Sequence, residues 1–94
     1  MNSEFLPIGT VVMLNGGTKK VMITGYKPID SETKKSFDYN GCIFPEGLME
    51  NAYVLFNRDQ INEVFYKGLD NDETKACIKK VEELSIQEVN NEGE

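Results

Sequence analysis

The sequence contains no histidine and no tryptophan, and only two cysteines and three prolines occur among its 94 residues. Without histidine, the Ser-His and Cys-His pairs of nucleophilic catalysis are excluded, as is the usual general base near neutral pH. Cys42 and Cys77 alone supply neither a zinc site nor a disulfide framework. We interpret them as free thiols in a reducing compartment. These absences predict a protein that is not an enzyme and has no cofactor and no metal.

Two weaker signals for chemistry do not change that expectation. Four acids near aromatic loops are candidates for a carboxylate pair, but their spacing is that of ordinary surface acids; they are Asp38, Glu46, Glu50 and Asp59. Residues 16–19 read Gly-Gly-Thr-Lys, which lacks the glycine spacing of a phosphate-binding loop and leads into a strand rather than a helix. We interpret this segment as a turn.

Basic clusters and long apolar runs are also missing. The formal net charge is -6, and no Lys or Arg follows Lys80. Nucleic-acid binders neutralise phosphates with clustered cations, so we expect no nucleic-acid partner. No stretch of about 18 apolar residues occurs, which predicts no membrane span. The first five residues lack the features of a signal peptide, and we therefore expect a cytoplasmic protein.

Short apolar segments separated by turn residues predict a mainly β domain. The Asn15-Gly16-Gly17 sequence suits a tight hairpin turn between two such segments. Residues 57–60 have the spacing of a capping box, which predicts a single helical turn before the last strand. The predicted strands are residues 10–14, 19–26, 37–42, 53–56 and 63–67.

The C-terminal part predicts one helix. Cap residues and acids at 70–73 open it, and it is expected to run to about Leu84 with Cys77, Val81 and Leu84 as its apolar stripe. Residues 1–89 are predicted to form a single domain, and residues 90–94 a disordered acidic tail. The fold class is therefore α+β and mainly β: a small curled antiparallel sheet or an SH3-like barrel of about five strands, with one C-terminal helix.

Aromatic residues give the only sequence signal for a binding surface. Seven of the nine lie between residues 37 and 66, and the loop at 44–48 is unusually apolar. Phe65 and Tyr66 are adjacent, so in a regular strand they point to opposite faces. An exposed apolar and aromatic patch is a usual mark of a protein-binding site. The predicted partner-binding residues are Tyr39, Phe44, Pro45, Leu48 and Tyr66.

Three segments, taken in order, resemble a known family. They are LPIGTVVMLNGGTKKVMITGY, FDYNGCIFPEGL and FNRDQINEVFYKGLDNDE, and together they are similar to domain of unknown function 4176 over about residues 6–73. Ile43-Phe44, between Cys42 and Pro45, departs from the family pattern. The family has no established catalytic site, so the resemblance implies no catalytic residue for this chain.

The resemblance also implies a biological setting. Such families occur in Gram-positive bacteria beside type VIIb secretion genes and LXG-type toxins. This setting implies a chaperone or adaptor whose partner is an exported toxin or a secretion component. The alternative is an immunity protein or inhibitor of a cognate toxin, whose negative charge would cover a basic nuclease. The sequence is also compatible with a homodimer.

Overall fold

The computed structural model describes residues 5–50 and 53–92, with side chains described up to residue 84. Its five strands form one antiparallel sheet in the order β4-β3-β2-β1-β5, and the sheet is not closed. The predicted fold class is confirmed in its open, curled form. The elements are β1 (Val11–Leu14), β2 (Lys20–Tyr26), β3 (Tyr39–Phe44), β4 (Tyr53–Phe56), a 3-10 turn (Arg58–Gln60), β5 (Ile61–Tyr66) and α1 (Asp72–Glu92).

One face of the sheet, which we call the inner face, carries the hydrophobic core. Alternate strand residues point to it, as the period of a strand requires. Helix α1 packs against this core through Val81, with Ile78 partly buried beside it. Burial of apolar side chains is the main stabilising contribution in so small a domain. The buried core cluster consists of Phe5, Val12, Val21, Ile23, Tyr39, Phe56 and Val81.

The segment before β1 is fixed to the core by two tyrosines. The Tyr26 hydroxyl donates to the Leu6 carbonyl at 2.5 Å, and the Leu6 N–H donates to the Tyr39 hydroxyl oxygen at 2.8 Å. Desolvation raises the pKa of Tyr26 to about 12 and is also the main cause that raises the pKa of Tyr39. Phe5 packs edge-on against both rings. The entering chain is therefore part of the core.

A close approach of two backbones joins the start of β1 to the end of β5. The Gly68 N–H donates to the buried Thr10 hydroxyl at 3.0 Å. A Cβ atom at Gly68 would lie 2.1 Å from the Ile8 carbonyl oxygen, which is closer than a Cβ atom can approach another heavy atom without a clash. Only glycine fits at this position, where the chain leaves the sheet for α1.

Helix α1 is longer than predicted, and its buried stripe differs. Asn71 caps its start, accepting a hydrogen bond from the Thr74 N–H at 2.9 Å. The helix continues past Leu84 to Glu92 because no glycine or proline occurs before Gly93. It thus includes part of the predicted acidic tail, of which residues 93 and 94 lie outside the described residues.

The stripe prediction was wrong for two of its three residues. Cys77 and Leu84 are exposed, and Val81 alone is buried, with Ile78 beside it. The helix is rotated so that the ridge through Ile78 and Val81 faces the sheet. Cys77 and Leu84 therefore lie to one side of the buried ridge and are exposed to solvent. Both cysteines are free thiols, with Cys42 buried in β3.

Candidate functional site

The second face of the sheet, which we call the outer face, carries an apolar row that crosses all five strands. Cross-strand pairing places Tyr53 of β4 opposite Cys42, Cys42 opposite Met22, Met22 opposite Val11, and Val11 opposite Tyr66 of β5. We call these five residues the outer row. The small members Cys42 and Val11 are buried between larger neighbours, whereas the tyrosines at both ends are exposed.

Beside the outer row lies a cation held between two aromatic residues. Lys20 of β2 pairs directly with Phe44 of β3, and its Nζ atom lies 4.8 Å from the centre of the Phe65 ring. At this distance the ammonium is attracted by the negative face of the ring. Phe44, Lys20 and Phe65 therefore continue the outer face from β3 to β5.

A β-bulge turns two adjacent aromatic residues to the same face. Val11 pairs with Tyr66 and Val12 with Val64, so Phe65 is an extra residue in β5. In a regular strand Phe65 and Tyr66 would point to opposite faces, but a bulge removes that alternation. The register of Tyr66 with Val11 and the contact of Phe65 with Lys20 place both rings on the outer face.

Four of the five residues predicted to contact a partner are exposed, and one is in the core. Phe44 is 40% exposed, Leu48 76% and Tyr66 66%, and Pro45 is also exposed. Tyr39 has no exposed surface and packs against Phe56 with ring centres 5.3 Å apart. Tyr39 therefore does not contribute to a contact surface in this fold.

The structure groups these exposed residues in two places. Phe44, Pro45 and Leu48 lie together at the end of β3 and in the loop after it, where Glu46 pairs with Lys19 at 2.8 Å. Tyr66 lies in β5, three strands away, or about 14 Å at the usual strand spacing. Other outer-face residues, which the sequence reasoning missed, fill the space between the two groups.

Those missed residues are Lys20, Met22, Tyr53 and Phe65. A signal for some of them was present in the sequence. Met22 alternates with the core residues Val21 and Ile23, and Tyr53 alternates with Val54 in the same way. Strands that are apolar at successive positions have two apolar faces. The position of Phe65 depends on the bulge, which no local pattern of residues indicates.

The four candidate acids do not converge on a reaction centre. Asp38 accepts from the Arg58 backbone N–H at 2.8 Å and from its Nε at 3.3 Å, and so holds the 3-10 turn. The hydrogen bond from Lys19 lowers the pKa of Glu46. Glu50 and Asp59 are exposed. Among the described residues, no three His, Cys, Asp or Glu side chains come close enough together to hold a metal ion.

A groove of about 410 Å³ lies elsewhere, between the entering chain and α1. Its wall is apolar at Phe5, Leu6 and Ile78 and charged at its rim, where Lys67 pairs with Asp70 at 3.2 Å. Three lysines and two acids line it, so charges of both signs are present and neither dominates strongly. The outer face is therefore the better candidate for a functional surface.

Within the described ranges, no helix has both the length and the apolar character needed to cross a bilayer. No curated protein and no solved structure matches the chain at a significant level. The family model "Domain of unknown function (DUF4176)" does match, over residues 5–77. This match covers the whole sheet and the start of α1, and the chain belongs to the DUF4176 family.

Proposed function

We propose that this chain is a non-catalytic, cytoplasmic protein-binding domain that serves as a chaperone or adaptor for an exported effector of a type VII secretion system. The observation that supports protein binding is the outer face. Four aromatic side chains there, those of Phe44, Tyr53, Phe65 and Tyr66, are between 40% and 66% exposed. The secretion setting is carried by the family resemblance alone.

The composition of the outer face resembles that of a protein interface more than that of a solvated sheet. Buried Val11 and Cys42 form an apolar centre, and aromatic residues with Lys20 surround it. Aromatic residues are enriched at interfaces because each one buries a large area with few rotatable bonds. A partner that covers this face would desolvate all four rings together, which is the usual arrangement of energetically dominant contacts.

A pull-down of the tagged protein from its own cytoplasm, followed by mass spectrometry, tests the proposal. We expect an exported effector or a secretion component to be retained by the wild type. The double variant Phe44→Glu, Leu48→Glu should retain less than a tenth of it, because two charges would be desolvated in the interface. Leu69→Glu is the matched control, since Leu69 is 72% exposed and lies outside the sheet. Equal retention by all three proteins would contradict the proposal.

The net charge supports one alternative, an immunity protein or inhibitor that covers a basic toxin. The two roles differ in the part of the effector that is bound. An immunity protein binds the catalytic domain and abolishes its activity, whereas a chaperone binds a region needed for export and leaves that activity intact. Assaying the captured effector with and without this chain separates the two roles.

A further inference from the structure

The two edges of the sheet differ in how well they are protected against pairing with another strand. Strand β5 contains Glu63 and two register shifts, and both features hinder the addition of a strand. Strand β4 reads Tyr-Val-Leu-Phe, with no charge, no proline and a regular register with β3. Within the described residues β4 pairs only with β3, so its other side is an unprotected edge.

The backbone groups that face this edge can be identified. The Asn40 carbonyl of β3 accepts a hydrogen bond from the Thr24 hydroxyl of β2 at 3.1 Å, so the backbone groups of Asn40 face β2. Neighbouring residues of a strand turn their backbone groups to opposite sides, so Gly41 bonds to its partner Val54 in β4. The residues on either side of that partner are Tyr53 and Leu55. Their N–H and C=O groups therefore point to the free edge.

A buried acceptor beside the edge lacks a donor. The Asn40 side-chain oxygen is buried and has no hydrogen-bond partner in the structure, and Asn40 lies directly opposite Leu55. A buried oxygen without a donor is unfavourable. Asn40 lies one strand inside the edge, so only a long donor side chain of an added strand would reach this oxygen across β4.

The charges near β4 favour a basic partner over a second copy of this chain. Glu50 lies three residues before β4 and Asp59 three residues after it, and both are exposed. A second copy paired along β4 would bring together two chains that each carry a formal net charge of -6. Like charges repel, which disfavours that pairing. A segment with cations at its ends meets opposite charge instead.

We infer that the free edge of β4 binds an extended segment of the protein partner as a sixth strand, with alternating apolar residues and Lys or Arg at its ends. This inference rests on the proposed function. Main-chain hydrogen bonds to Tyr53 and Leu55 supply affinity, and alternate side chains of the segment continue the outer row beyond Tyr53. The net negative charge of this chain, with Glu50 exposed before β4, favours a basic segment.

Two synthetic peptides test this inference. Both contain four Thr-Val repeats; one has two lysines at each end, and the other has two glutamates. We expect the basic peptide to bind at least tenfold more tightly by calorimetry at low salt. Bound peptide should slow hydrogen exchange of the Tyr53 and Leu55 amides while leaving the already bonded Val54 amide unchanged. Absence of binding, equal affinities, or protection elsewhere would overturn the inference.

Variants at the edge provide a second readout. Leu55→Pro removes the edge N–H and should weaken binding of the basic peptide at least tenfold, whereas Leu55→Ala keeps that N–H and should retain most of the affinity. If Leu55→Pro does not fold, the exchange experiment on the wild type decides. Light scattering tests the choice of partner. A wild-type dimer that is abolished by Leu55→Pro would show that a second copy of this chain, and not a basic segment, occupies the edge.

The two proposals fail in different ways. If the native partner is lost by Phe44→Glu, Leu48→Glu but retained in full by Leu55→Pro, the outer face binds the partner and the added strand is wrong. If the native partner is retained by both variants, the proposed function itself is wrong, and the strand-addition inference is wrong with it.

Discussion

The ammonium of Lys20 lies 4.8 Å from the centre of the Phe65 ring, although the two residues are in strands that do not pair with each other. Strand β1 runs between them. The contact therefore spans the sheet on its outer face and joins the aromatic residue of β5 to Phe44, the cross-strand neighbour of Lys20. It makes one continuous surface from two groups of residues that are far apart in the sequence.

A double-mutant cycle measures this contact. Lys20→Met removes the ammonium, and Phe65→Leu removes the aromatic ring. Each substitution keeps much of the apolar volume of the side chain that it replaces. We expect a coupling free energy of about 0.5–1 kcal/mol, the range of an exposed cation–π pair. The measurement is the free energy of unfolding in urea at low salt. Strictly additive effects of the two substitutions would show that the ammonium and the ring do not interact.

Gly68→Ala should be one of the most destabilising single substitutions in the chain. The new Cβ would meet the Ile8 carbonyl oxygen at 2.1 Å, so the start of β1 and the end of β5 must separate. We expect a loss of about 3 kcal/mol or more in unfolding free energy. Gly25→Ala is the matched control because its Cβ would meet only the Asn40 Cβ, at 3.7 Å. A Gly68→Ala protein as stable as Gly25→Ala would contradict the described approach of the two backbones.

Stability should decrease at high pH because of Tyr26. Its pKa is raised from 10.0 to about 12, so the folded state favours the protonated phenol. The resulting stabilisation is complete below pH 10 and is lost as the pH rises from 10 to 12. The measurement is the unfolding free energy of the wild type and of Tyr26→Phe across this range. The variant should show a shallower decrease, and parallel curves would contradict the assignment.

Local signals in the sequence predicted most of the fold. The Asn15-Gly16-Gly17 turn joins β1 to β2 as expected, with Gly16 at a φ of +74°. The capping-box spacing at residues 57–60 marked the 3-10 turn, in which the Gln60 side chain accepts from the Asn57 N–H at 2.8 Å. The predictions of these two turns are confirmed because each turn depends only on a few neighbouring residues and on backbone geometry.

The errors concern features that depend on distant partners. Tyr39 alternates with the polar residues Asp38 and Asn40, a pattern that fits a core position, but the cluster of aromatic residues between 37 and 66 led to its inclusion in the predicted contact surface. The bulge at Phe65 exists only in the register of β5 with β1. The rotation of α1 is set by packing on the sheet: spacing alone placed Cys77 in the apolar stripe, whereas Ile78 is the residue that packs against the core. Register and rotation are tertiary properties.

Photo-crosslinking in the cells that produce this protein tests the central claim, which is that the outer face binds another protein. A benzophenone amino acid replaces either Tyr53 or Tyr66 on the outer face, or Ile29 or Leu69, which are comparably exposed but lie outside the strands. After irradiation we expect one discrete covalent adduct from each outer-face position and none from the two control positions. Absence of adducts from Tyr53 and Tyr66, or the same adduct from all four positions, would contradict the claim.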